Sequence, residues 1–134
     1  LVFSYAYRYW TDRSNVKFLN YILTSIKDVI DMINSKLHKK YDEIVEFKLY
    51  KNEKFKNKYI KDIMSDAFGY AGTEIIRRTV GDSKVAEVNN VKDVDIKVPF
   101  ERNLIVIGKN FIKRMFDLSS GDEVIQIIQD IMPI

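Results

Sequence analysis

The sequence of 134 residues reads as an all-α chain, and three observations lead there. Two long segments, Val16 to Phe47 and Lys61 to Val80, carry apolar residues at three- and four-residue steps, the spacing that gathers side chains on one face of a helix. The stretch Ser120-Gly121-Asp122-Glu123 has the form of a capping box and opens a further apolar pattern at Val124, Ile127, Ile128 and Ile131. Arg77-Arg78 followed by Gly81 is a helix stop, with cations at the negative end of the helix dipole. The length suits one small domain able to bury a sizeable core. Hydrophobic residues at 46% and charged residues at 31% exclude disordered and fibrous classes.

Taken in order, Leu1 to about Tyr9 is expected to be the end of a buried helix, since the chain opens without Met on apolar and aromatic residues. It has no basic leader and no small-residue cleavage site, and it falls short of the ~20 apolar residues that span a bilayer, so a soluble protein is expected. Thr11, Asp12, Ser14 and Asn15 form a polar break. The long helix from Val16 to about Phe47 presents Leu19, Ile22, Leu23, Ile26, Val29, Ile30, Ile33, Leu37, Tyr41 and Ile44. It is expected to pack lengthwise against the helix that follows.

That next helix, Lys61 to Val80, organises the chain, with an apolar face at Ile60, Ile63, Met64, Ala67, Phe68, Ala71, Ile75 and Ile76. Gly69 and Gly72 lie inside it, each costing about 0.8–1 kcal/mol relative to Ala, which points to a close approach of another backbone or a ligand. Arg77 and Arg78 project about 100° apart. One guanidinium is placed to reach a cleft while the other pairs with Glu74 or with a carboxylate outside the helix; the alternative is two solvated terminal charges.

Asp82 to Phe100 reads as a loop with at most a short helical turn, and Pro99 is expected to stop a helix from running through it. Glu101 to about Met115 returns to helical spacing, although Leu104 to Ile107 alone also fits a strand and Gly108 interrupts the pattern. The last helix begins at Ser119 or Ser120, and Pro133 closes the chain.

Chemistry is sparse. The 22 Lys and Arg against 19 Asp and Glu give a formal charge of +3 and a pI near 9.0, a weak basic bias without a nucleic-acid motif. The run Lys48 to Lys61 is broken by Glu53 and reads as a solvated loop and helix start rather than a phosphate-binding patch. Trp10 and the eight tyrosines are expected to anchor helix packing. The absence of Cys excludes disulfides and thiolate metal sites and is compatible with a reducing cytoplasm. His38, the single histidine, has no neighbouring ligand residue and cannot define a metal site. No dinucleotide or phosphate-loop glycine motif, zinc-protease motif or nucleophile elbow is present, so no catalytic or metal-binding residue is assigned within the chain.

Asp66-Ala67-Phe68-Gly69-Tyr70-Ala71-Gly72, then Ile75-Ile76-Arg77-Arg78 and Val80-Gly81, resembles the C-terminal region of the S-methyl-5-thioribose kinases. Members of that family share Asp-x-(Phe/Ile/Val)-Gly-(Phe/Tyr)-Ala-Gly-x-x-x-(Ile/Leu)-Arg-Arg before a Val-Gly turn. Val85-Ala86-Glu87-Val88 and Phe100-Glu101-Arg102 are similar to later segments of the family, whereas Asp82-Ser83-Lys84 departs from its usual (Leu/Val)-Ala-His. About twenty residues are diagnostic, while the helical outline covers most of the chain. The resemblance implies the C-terminal part of the helical lobe of a protein-kinase-like fold, shared with aminoglycoside kinases. It implies a cytoplasmic, homodimeric parent enzyme that uses ATP and Mg2+ to phosphorylate the 1-hydroxyl of S-methyl-5-thioribose in methionine salvage. The nucleotide- and metal-binding residues would lie in the remainder of the lobe, and the family's sugar-contacting arginine pair carries over to Arg77 and Arg78.

The competing reading is a free-standing α-helical module that binds a protein, or weakly binds nucleic acid, through Lys48 to Lys61. The two differ in exposure. A module covers its apolar faces internally, whereas part of a lobe, or a subunit of a dimer, leaves faces of Leu1–Tyr9 and of the long helix open.

Overall fold

The computed structural model describes all residues 1–134 and contains six helices: α1 (Val2–Thr11), α2 (Val16–Ile44), α3 (Glu53–Val80), α4 (Ala86–Asn90), α5 (Val94–Arg114) and α6 (Gly121–Ile131). There is no strand, and Leu104 to Ile107 is helical. Twenty-one buried hydrophobic residues form one core cluster to which every helix contributes.

The first helix is a strap across that core. Tyr5 and Ala6 are fully buried, and the Tyr5 hydroxyl donates to the Met132 carbonyl at 2.7 Å, joining the two ends of the chain. Burial pushes the Tyr5 phenol up to about 12. Arg13 adds a second tie, donating to the Pro133 carbonyl at 2.7 Å while its guanidinium sits 4.5 Å from the Tyr9 ring centre. The polar break ends at Asn15, whose side chain accepts from the Phe18 N–H and starts α2.

In α2 the buried residues are Leu19, Ile22, Leu23 and Ile26, all in the N-terminal half. Helix α2 runs alongside α3, with Tyr41 against Tyr59 and Asp42 bonded to Lys56, but this is not the main contact of either helix. The most extensive helix contact is between α3 and α5, and the N-terminal half of α2 packs chiefly on α6. The reason lies in the glycines. A Cβ on Gly72 would stand 2.5 Å from the Gly108 carbonyl oxygen, so only a residue without one lets α5 come this close. Gly121 plays the same part against α2, where a Cβ would meet the Lys27 Cα and carbonyl oxygen at 2.6 Å. The Gly121 N–H donates to Asp31 at 2.8 Å, which lowers the Asp31 pKa, and Lys27 bridges Asp31 at 3.0 Å and Asp122 at 2.5 Å.

Two boundaries differ from expectation. Helix α3 begins at Glu53, earlier than Lys61, because Asn52 caps it by accepting from the Lys54 and Phe55 N–H groups; the basic run is a turn up to Asn52 and then the start of the helix, as expected. Helix α5 begins at Val94 and runs through Pro99. Pro99 stands in its second turn, where the carbonyl it leaves unpaired belongs to exposed Asp95 and can be solvated, while buried Phe100, Leu104, Ile107 and Phe111 hold the helix on the core. The capping box of α6 is complete, with Ser120 accepting from the Glu123 N–H and Glu123 accepting from the Ser120 N–H. No helix is long and apolar enough to cross a membrane.

Candidate functional site

Helix α3 delivers Arg77 and Arg78 to its own last turn, with only Thr79 and Val80 between them and the C-cap Gly81. Gly81 stops the helix in an extended conformation, φ −79° and ψ −179°, rather than a left-handed one. Its missing side chain matters sterically, since a Cβ there would lie 2.5 Å from the Arg77 carbonyl oxygen.

Both guanidinium groups converge on one carboxylate. Arg77 holds Glu74 bidentately, Nε to Oε1 and Nη2 to Oε2, each at 2.8 Å, and Arg78 Nε reaches Oε2 at 3.3 Å. Arg77, then Arg78, hold the Glu74 carboxyl well below the usual range, at about 2, so it stays ionised. The pairing with Glu74 in turn raises Arg77. Two cations share one anion, which leaves a local charge of +1, and Arg78 keeps both Nη groups free to donate outward. With both side chains about half exposed, this is a pre-positioned cationic surface with donors in fixed directions, suited to hydroxyls or an oxyanion. Both arginines thus pair with Glu74, unequally, rather than one with a carboxylate and the other with a cleft.

The turn that departs from the family pattern is tied down. Lys84 bonds Glu101 at 3.1 Å, and the Lys84 carbonyl accepts from Asn89 at 3.3 Å. Lys84 thereby fastens the end of this turn to Glu101 in the first half of α5 and to Asn89 of α4. Gly69 of the diagnostic stretch accommodates the Met115 thioether, and Gly72 meets Gly108.

Sequence reasoning missed two apolar hollows. One, of about 630 Å3, lies between the end of α2, the connection to α3 and the start of α3, and its walls include Leu37, Tyr41, Ile44, Tyr50, Phe55 and Tyr59. The other, of about 310 Å3, runs along α2 and is walled by Leu1, Val29, Ile33, Ala67 and Phe68 among others, all apolar. Ile44 and Phe47 are 70% and 64% exposed. Periodicity marks such residues as one face; it does not say which part of the face remains open. No three His, Asp or Glu side chains come together in a way that could hold a metal ion.

The all-helical chain matches kinases in sequence over about half its length and is consistent with the helical portion of a kinase-like fold. Those relatives are methylthioribose kinases. The chain is 37% identical to that of Cronobacter sakazakii over 71 residues, which is 53% of the chain and 18% of the relative. It is 41% identical to that of Erwinia tasmaniensis over 54 residues (40% and 14%), and 33% identical to that of Bacillus cereus over 63 residues (47% and 16%). The chain is thus related in sequence to methylthioribose kinases, as Asp66 to Gly81 led one to expect, and the matched stretch spans less than a fifth of each relative. No protein-family profile matches the chain, and no solved structure matches it.

Proposed function

We propose that this chain is the C-terminal substrate-binding part of a kinase that transfers the ATP γ-phosphate to the 1-hydroxyl of S-methyl-5-thioribose, a step of methionine salvage in the cytoplasm. The observation that carries the reading is the Glu74-held arginine pair, standing in the stretch that resembles the family's sugar-contacting arginines. Phosphoryl transfer depends on positioning and on stabilising developing charge, and a guanidinium fixed by its own carboxylate supplies donors that need no reordering. Arg78, with both Nη groups free, is the principal sugar contact, and Arg77 holds Glu74 in place for it.

The donor set of this chain does not fit ATP and Mg2+: it has no glycine-rich phosphate loop and no cluster of carboxylates. In this reading both are held by the remainder of the kinase lobe. That remainder, or the second subunit of a homodimer, covers the open apolar stripe of α2, where Val29, Met32 and Ile33 are 41–48% exposed. The exposed stripe favours part of a lobe over a module with its faces closed internally.

The test is ADP release by the full-length parent with S-methyl-5-thioribose and Mg-ATP. Arg78→Ala is expected to lower turnover on the order of 10²- to 10³-fold while the fold is kept. A parent that leaves the sugar untouched, or an Arg78→Ala variant that matches wild type, would remove the basis of the proposal.

A further inference from the structure

A cluster of polar side chains away from the arginine pair lines a hollow of its own. Asn34 and His38 stand one turn apart on α2, Asn57 and Lys61 one turn apart on α3, and Ser119 ends the connection into α6, just before its N-cap Ser120. Together with Ile60, Met64 and Leu118 they line a surface hollow of about 210 Å3, with Asn57 and Lys61 at its exposed rim. The i, i+4 spacing on each helix aims both members of a pair into the same space. Neighbouring lysines of α3 are engaged, Lys56 with Asp42 and Lys58 with Asp62, whereas Lys61, Asn34, His38 and Asn57 make no side-chain hydrogen bond or ion pair within the chain.

We infer that this hollow is a binding site for a phosphate group, free or carried by a small monoester. No carboxylate lines it, which disfavours a cation, and a lone imidazole without a carboxylate or thiolate does not hold a metal. Lys61 supplies a full positive charge, and His38, Asn34 and Asn57 supply N–H donors from two helices, the combination that recognises an oxyanion. Glu123 holds the N–H and hydroxyl of Ser119, so this wall of the hollow offers no free donor and the anion is held from the Lys61, His38, Asn34 and Asn57 side. A water molecule takes about 30 Å3 of liquid volume, so the hollow has room for a phosphate and a small organic remainder against Ile60, Met64 and Leu118.

The site is tested on the full-length parent by NMR titration with inorganic phosphate and with ethyl phosphate, against sodium chloride at matched ionic strength, read at the side chains of this hollow. Saturable shifts of the His38 ring and of the Asn34 and Asn57 side-chain amides are expected. Lys61→Ala should weaken binding about tenfold or more, Asn57→Ala should weaken it less, and Lys54→Ala on the same helix should leave it unchanged. Tighter binding of ethyl phosphate assigns the ester as ligand; tighter binding of inorganic phosphate assigns the free ion. Shifts that track ionic strength without saturating, a Lys61→Ala variant that binds like wild type, or an equal loss in Lys54→Ala would overturn the inference.

Discussion

Gly72 and Gly108 are reciprocal: a Cβ on either would lie within 2.7 Å of the carbonyl oxygen of the other. Neither glycine is explained by its own helix, where each lowers helix propensity by about 1 kcal/mol relative to Ala. Together they set the distance between α3 and α5, and so the position of the helix that ends in Arg77 and Arg78.

The expected consequence is a contrast among the glycines of α3. Gly72→Ala meets backbone, which cannot yield without moving α5, and is expected to destabilise by about 1–3 kcal/mol despite the gain in helix propensity. Gly69→Ala meets only the Met115 sulfur and methyl at 3.0 Å, the far end of a flexible side chain. It is expected to cost no more than about 0.5 kcal/mol and can stabilise. Urea denaturation of the two variants measures this directly, and equal losses would mean that the helix contact is not set by the glycine pair.

Glu74 gives a pH signature. Its folded pKa of about 2 lies below its ordinary 4.5, so the stabilisation it provides is fully present above pH 4.5 and is lost as pH falls through about 2. In Glu74→Gln this part of the acid dependence should vanish, and the difference in stability between wild type and variant should shrink steadily from pH 4.5 downward. Carboxyl-carbon NMR should place the Glu74 midpoint near 2 and show it rising further in Arg77→Ala than in Arg78→Ala, because Arg77 makes the two shorter bonds. A larger rise in Arg78→Ala would reverse the roles assigned to the pair.

Much of the fold is legible in single residues. Leu19, Ile22, Leu23 and Ile26 announce one apolar face of α2, though not that its burial stops there, Ser120 and Glu123 announce the start of α6, and Gly69 and Gly72 announce a close contact. What the contact is with is not legible, because Gly108 looks like an interruption of its own helix until α3 lies against it. The start of α3 is hidden for another reason: Asn52 caps it inside a run of lysines whose charge suggests solvent, although Lys56 and Ile60 turn inward. At the site, helix position fixes where Arg77 and Arg78 emerge, but their convergence on one carboxylate depends on side-chain rotamers that periodicity does not specify. The polar hollow joins residues from two helices and a connection, and no local pattern links them.

Lys56 provides the last test, and it concerns the junction beside the larger apolar hollow. Its ammonium group is bonded to both Asp42 oxygens at 2.7 Å, with Glu53 further off at 3.9 Å, and the residue is only 8% exposed. The bond to Asp42 raises the Lys56 pKa, so its contribution persists through neutral pH and is lost only as pH rises beyond the ordinary lysine value of 10.5. The pair ties the end of α2 to the start of α3, next to Tyr41, whose hydroxyl donates to the Tyr50 carbonyl at 2.7 Å. Removing the anion alone leaves a mostly buried ammonium without its main partner, whereas Lys56→Met keeps the aliphatic packing and removes the charge that needs pairing. Asp42→Asn is therefore expected to lower the urea midpoint more than Lys56→Met does, and the double variant should resemble Lys56→Met rather than the sum of the two. If Lys56→Met proves the more damaging, the lysine stabilises the junction by the pair itself, and the burial argument fails.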